Sequence, residues 1–289
     1  MSFSKFLPKL TNKKTPISTS FAECLTKTLD TKNKRPIRLR ASGLPKCSLH
    51  FLSQFLLDEF DKEEAMMDYY CSVGTTVHTH VQKWMGTTGK VFGNWKCHNC
   101  GHYVEKSVKH LCPKCKSLME YVELEVEHDV FSGHIDGLYK LPNGKFIVFD
   151  YKTSSTMIVS RKKFIPIAKH LMQVAAYGAV LTLEGYDIDS LSIFYITRDD
   201  PKQNAEYNIP YTKELHEHTL KFLKQQIKSF KAGRKAFKTG NFELAYKYKM
   251  CSSYHEYKNE YEKFFGLEPC ELATICFNKS VALDYLNNL

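Results

Sequence analysis

The chain has 289 residues, 43% hydrophobic and 13% aromatic, with a formal net charge of +10 and an isoelectric point near 9.0. That length can bury one large core or two smaller ones, and the composition is that of a globular protein, not a disordered one. The positive balance calls for a polyanionic partner, and no uninterrupted apolar run approaches the roughly 20 residues of a membrane span.

Residues 1–41 read as a basic flexible leader. Ten Lys/Arg among residues 1–40 stand against Glu23 and Asp30, so +8 of the +10 lies there. Such a segment is either a solvated tail or an arm for nucleic acid. Lys5 and Lys9 interrupt the apolar start, which argues against a secretory signal. A short helix fits residues 21–29. Residues 42–92 form a helical part: Ser42 suits the cap of a helix over 44–61, with Leu49, Leu52, Phe55 and Leu56 on one face. A second helix over 68–85 carries His78, His80 and Trp84. Taken alone, His78 reads as a packed core histidine, and His80, two residues on, faces elsewhere.

Cys97-x-x-Cys100 and Cys112-x-x-Cys115 follow, with eleven residues between the pairs. Each pair offers two thiolates from a tight turn, the spacing of a closed tetrahedral zinc site that staples a ribbon over 93–118. An iron–sulfur cluster and a disulfide pair are the less economical readings. Paired thiolates without a secretory signal point to a reducing, intracellular compartment. Lys96, Lys106, Lys109, His110, Lys114 and Lys116 make the ribbon basic, open to nucleic acid or to a partner protein.

Residues 119–210 read as the core. Residues 121–130 alternate as a strand with Glu123, Glu125 and Glu127 on one face, a charged edge from which one acid could approach a metal. Two further strands meet at Leu141-Pro142-Asn143-Gly144. A two-residue Asn-Gly loop sets Asp136 opposite Tyr151; a three-residue Pro142-Asn143-Gly144 loop sets it opposite Asp150, and Pro followed by a left-handed Gly suits the longer turn. Asp150 and Lys152 then share a face that Tyr151 avoids. Two facing carboxylates repel, and a divalent cation between them removes the penalty.

Residues 153–163 form a loop rich in Ser, Thr and Lys, suited to phosphates. A helix starts near Pro166 and stops before Gly185, with Gln173 and Tyr177 four apart and projecting together. Residues 191–197 make the next strand, so the core runs helix, three strands, helix, strand. Residues 211–289 are helical: a long helix over 211–238 carries Leu220, Leu223, Ile227 and Phe230 on one stripe. Lys221, Lys224, Lys228, Lys231 and Lys235 lie on the adjoining one, a solvated face or a wall tracking a nucleic-acid backbone. A further helical stretch covers 242–265.

Gly133-x-x-Asp136 and Asp150-x-Lys152 resemble the core motif of PD-(D/E)xK nucleases. Gln173-x-x-x-Tyr177 and the upstream Gly74-Thr75-Thr76-Val77-His78 are similar to motifs of that superfamily's RecB-like exonuclease branch. The resemblance covers about residues 42–200, interrupted by the ribbon. It implies an α/β, restriction-endonuclease-like core with a mixed central sheet (αβββαβ) flanked by helices. It also implies a Mg²⁺- or Mn²⁺-dependent DNA nuclease, by branch an exonuclease of replication, recombination or repair. Asp136, Asp150, the Tyr151 carbonyl and His78 would surround the metal, Lys152 would act on the water or phosphate, and Gln173 and Tyr177 would position the strand. The partners implied are DNA, single-stranded or at duplex ends, and a replication or recombination protein on the ribbon, with no membrane. A retired nuclease scaffold that only binds nucleic acid, an endonuclease and an RNase are the alternatives. Relatives with an iron–sulfur cluster point to Cys47, Cys251, Cys270 and Cys276, but their spacing here is wrong for preorganised thiolates.

Overall fold

The computed structural model of the protein describes residues 38–44, 64–160 and 168–247. The helices expected over 21–29 and 44–61, the end of the 242–265 stretch, and Cys47, Cys251, Cys270 and Cys276 lie outside them. The first elements are β1 (Leu39–Arg40), a 3-10 turn (Ala41–Gly43), α1 (Glu64–Gly86), β2 (Val91–Lys96), β3 (Tyr103–Ser107) and β4 (Glu120–Val122). Then come β5 (Leu124–His128), β6 (Phe131–Ile135), β7 (Gly137–Lys140), β8 (Phe146–Ser154), α2 (Thr156–Ser160) and α3 (Ala168–Leu183). The chain continues through β9 (Ile188–Thr197), a second 3-10 turn (Pro201–Gln203), β10 (Ala205–Pro210), α4 (Lys213–Thr239) and α5 (Phe242–Lys247). Two units divide the chain, Met1–Pro36 with Glu59–Val73 and Ile37–Asp58 with Gly74–Leu289. Of the first, only residues 64–73 of α1 are described; every other element named here belongs to the second.

A seven-stranded mixed sheet carries the order β10-β9-β8-β7-β2-β3, with β4 also on β2. Only β8 and β9 pair in parallel within it, joined by the crossover helix α3. Its central strand β8 is apolar on both faces because both are covered. Val148 enters a core with α3, β9 and α4, while Phe149 and Tyr151 enter a second core with Val91, Trp95, Tyr121 and the α1 side chains Val81 and Met85. A three-stranded sheet, β1-β6-β5, packs under α3.

The β7–β8 turn is the three-residue loop that its residues require. Gly144 lies at φ +86°, its N–H donates to Leu141 O at 3.0 Å, and Leu141 N–H donates to Lys145 O at 2.9 Å. Two other expectations change. The single strand expected over 121–130 is two, β4 in the large sheet and β5 in the small one, broken at Glu123; the next strand breaks likewise at Asp136. The two strands pair with each other in the small sheet and separately with β2 in the large one, and one residue on each leaves the ladder at the change. The phosphate loop expected from residue 153 also gives way: Thr153 and Ser154 finish β8, and α2 follows, its Thr156 N–H donating to Asp199 Oδ1 at 2.8 Å.

The long C-terminal helix forms as its sequence dictates. Thr212 Oγ1 accepts from Leu215 N–H at 3.2 Å, Gly240 ends it at φ +65°, and Leu223, Ile227 and Phe230 are buried while Leu220 is only half-buried. None of the described helices is long and apolar enough to cross a membrane.

Candidate functional site

Both corner residues are acidic, and both corners fall at one place. The β5–β6 ladder ends at Leu124 opposite Ile135, and Glu123, the next residue, is near enough for its charge to act on Asp136. The β7–β8 register pairs Gly137 with Phe149, so one step further sets Asp136 opposite Asp150. Three carboxylates thus gather at the seam between the sheets. Asp136 and Asp150 are buried, 8% and 1% exposed. Tyr151 N–H donates to Asp136 Oδ2 at 2.6 Å, which fixes the carboxylate against β8.

Helix α1 covers these acids from one side. His78 Nδ1 lies 3.7 Å from Asp136 Oδ2, and one turn later Gln82 Nε2 donates to Glu123 Oε1 at 2.7 Å. His80, turned to the opposite side, is exposed with Nδ1 against Thr76 O. Helix α3 covers the other side. Lys152 Nζ lies 2.7 Å from Asp150 Oδ2 and donates to Gln173 Oε1 at 3.0 Å. The Gln173 amide donates to Asp150 Oδ1 at 3.1 Å and contacts Tyr177 Oη at 3.2 Å, so one glutamine links acid, lysine and tyrosine. Gly133 belongs to this arrangement for a steric reason: a Cβ there would sit 2.5 Å from Cε1 of the Tyr177 ring. The glycine of Gly133-x-x-Asp136 is the floor on which Tyr177 packs.

Electrostatics follow from burial. Desolvation, then the Asp150 charge, holds Asp136 well above the usual carboxylate range, against the pull of Lys152 and the Tyr151 N–H. Asp150 is raised by burial too, with the Lys152 ammonium opposing. Burial and then Lys152 push the His78 imidazole down, while Asp150, Glu123 and a hydrogen bond to the Tyr151 main chain push back. Asp150 Oδ2 is close to Lys152 but off the line of any donor, so this buried oxygen has no aligned hydrogen bond. A buried acid pair with an unsatisfied carboxylate oxygen fits a hard divalent cation, whose ligands are oxygens.

A second cluster lies in the ribbon. The sulfurs of Cys97, Cys100, Cys112 and Cys115 all fall within 4.8 Å of one another. Tetrahedral Zn–S bonds of 2.3 Å place sulfurs about 3.8 Å apart, so the four thiols fit that ion. The two knuckles repeat each other. Gly101 N–H donates to Cys97 O and Lys116 N–H to Cys112 O, each at 2.9 Å, and Gly101 and Lys116 take φ +69° and +63°. Hydrogen bonds from the Ser117 side chain and backbone, then from Asn99, pull the Cys115 thiol down to about 5. Cys97 and Cys112 are buried in the same core as Trp95, Tyr121, Phe149 and Tyr151, which ties the ribbon to the back of β8.

The proposed lysine stripe is a different matter. Lys221, Lys224, Lys228 and Lys235 are exposed, whereas Lys231 is held 2.5 Å from Asp129 Oδ2 in the β5–β6 turn. Glu123 was legible only as one of three edge acids, and Gln82 was passed over. The spacing of Gln82 one helical turn after His78 is the cue that could have found it.

A mixed sheet with a buried acid pair and a lysine at the end of its central strand is a restriction-endonuclease-like fold. The profile of the PD-(D/E)XK nuclease superfamily matches residues 40–276, and the chain belongs to that superfamily. It is accordingly a nuclease, a phosphodiesterase whose substrate is nucleic acid. Solved structures similar to it include "Crystal structure of SSO0001", with TM-score 0.39 and 15% identity over 74% of this chain and 87% of that one. Another is LHK-Exo in complex with dAMP, with TM-score 0.38 and 14% identity over 72% of this chain and 95% of that one. Among curated proteins none matches this sequence.

Proposed function

We propose that the protein is a Mg²⁺- or Mn²⁺-dependent DNA nuclease that acts from DNA ends, in replication, recombination or repair. The observation that supports this reading is the buried pair Asp136 and Asp150, with half-buried Glu123 beside it, at a corner between two sheets and closed by Lys152 and Gln173. Asp136, Asp150 and the Tyr151 carbonyl would hold the cation, with His78 and Glu123 beside them. A bound divalent ion lowers the pKa of water and offsets charge building on the scissile phosphate. Lys152, fixed by Asp150 and Gln173, aims its ammonium at the attacking water or a phosphate oxygen. Gln173 sets the direction of both groups, and Tyr177 holds Gln173. His78, kept largely neutral by burial, is able to accept a proton or hydrogen bond beside Asp136.

In the ribbon, a structural zinc would be held by Cys97, Cys100, Cys112 and Cys115. An intracellular location goes with this reading, because four thiolates persist only where disulfides do not form. A retired scaffold is the poorer reading, since retirement loses an acid or the lysine, and Asp136, Asp150 and Lys152 all remain. The test is cleavage of end-labelled single- and double-stranded DNA and RNA with Mg²⁺, Mn²⁺ or EDTA. Asp150→Ala and Lys152→Ala are each expected to abolish cutting and leave binding largely intact. Normal cutting by both variants would reject the site, and preferential cutting of RNA would reject the substrate.

A further inference from the structure

Helix α3 continues the site toward solvent. Its residues Tyr177, Gln173 and His170 lie along one face, three and four apart. Their burial falls in that order: Tyr177 is 3% exposed, Gln173 7%, and His170 is half-buried. The direction from Tyr177 to His170 is therefore the way out of the site. His170 is held there by the neighbouring strand: its Nδ1 lies 2.8 Å from Tyr195 Oη, with the two rings 5.7 Å apart. Tyr195 is the residue that the β8–β9 register places beside Lys152. The imidazole thus stands over the same strand pair as the catalytic lysine, one turn outward from Gln173.

We propose that His170, braced by Tyr195, is a positioning residue whose Nε2–H donates to a backbone phosphate oxygen of the nucleic-acid strand as it enters the site. The inference rests on the nuclease reading of that site. The proposal takes the tautomer in which Tyr195 O–H donates to Nδ1 and the ring proton lies on Nε2. Nε2 meets no hydrogen-bond partner among the described residues. A neutral donor suits this place, since a second cation beside Lys152 would repel it, and burial followed by the Lys152 charge pushes the imidazole down to about 3. A phosphate next to the one being cut, set by His170, brings its neighbour into register with Lys152.

The test uses the full-length protein, with a fluorescein-labelled single-stranded oligodeoxynucleotide for Kd in EDTA and end-labelled DNA with Mg²⁺ for KM and kcat. A hydrogen bond to a charged group is worth enough that His170→Ala is expected to raise Kd and KM about tenfold, with kcat changed less than about twofold. His170→Gln, whose amide nitrogen reaches the place of Nε2, should restore most of the affinity. His170→Asn, whose amide overlays Nδ1, should not. The salt dependence of Kd should keep its slope, because a neutral donor releases no counterion. Unchanged Kd and KM with a lowered Tm would make His170 a core brace and overturn the proposal. So would a fall in kcat at constant KM, or equal behaviour of the Gln and Asn variants. Wild-type protein that binds the oligonucleotide in a His170-dependent way but cuts nothing would instead sink the nuclease reading and leave this contact standing.

Discussion

Asp136→Asn removes one negative charge from the buried pair while preserving the side chain's shape. The Asn carbonyl can still accept from Tyr151 N–H, as Asp136 Oδ2 does at 2.6 Å, and its amide can donate toward Asp150. Facing residues of an antiparallel pair are about 5 Å apart at Cβ, so at an effective dielectric of 20 the Asp136–Asp150 repulsion is about 3 kcal/mol. Lys152 attracts Asp136 as well as Asp150, and losing that attraction leaves a net gain of about 1–2 kcal/mol. In a chain of this size that corresponds to a Tm increase of about 2–6 °C in EDTA. Asp136 has a folded pKa raised above its unfolded value, so its penalty is absent below the ordinary carboxylate range and grows as pH rises through the folded pKa. The Tm gap between the variant and the wild type should therefore widen from about pH 5 to pH 8. Mn²⁺ should raise the wild-type Tm and leave the variant's nearly unmoved. A variant that melts lower in EDTA and still responds fully to Mn²⁺ would refute the reasoning.

Protons compete with the cation for the same buried oxygens, so the Mn²⁺ concentration giving half-maximal cleavage should fall as pH rises, checked by metal titrations at fixed ionic strength from about pH 6 to 8. Gly133→Ala sets a Cβ 2.5 Å from the Tyr177 ring; overpacking of that kind costs about 1–3 kcal/mol and should displace Gln173, read as a lower Tm and a larger loss of kcat. Glu123→Gln keeps the hydrogen bond with Gln82 but removes the third charge, and should raise the metal concentration required about tenfold without lowering the Tm in EDTA. Stripping the ribbon with a thiol reagent should release one zinc per chain. Because Cys97 and Cys112 share a core with Trp95, the release should change Trp95 fluorescence and lower Tm.

Much of this protein was legible from residue order alone. The Pro142-Asn143-Gly144 turn fixed the β7–β8 register, because only a three-residue loop with a left-handed Gly144 fits it. That register put Asp136 across from Asp150 and Lys152 on the face of Asp150. The paired Cys-x-x-Cys spacing likewise named four residues that do converge. Glu123 was hidden for a physical reason. Period-two alternation assigns Glu123, Glu125 and Glu127 to one face, and it holds only while the strand stays in one sheet. The chain changes sheets at Glu123 and again at Asp136, and a corner is decided by how two sheets pack rather than by the residues at it. Gln82, His170 and Tyr195 were invisible for a related reason: each gains its meaning from a partner on a different element, brought close only by the folding of α1 and α3 over the seam. Local chemistry thus determined the motifs and their turn. Long-range packing decided which side chains stand beside them, because contacts between distant segments leave no period in the chain.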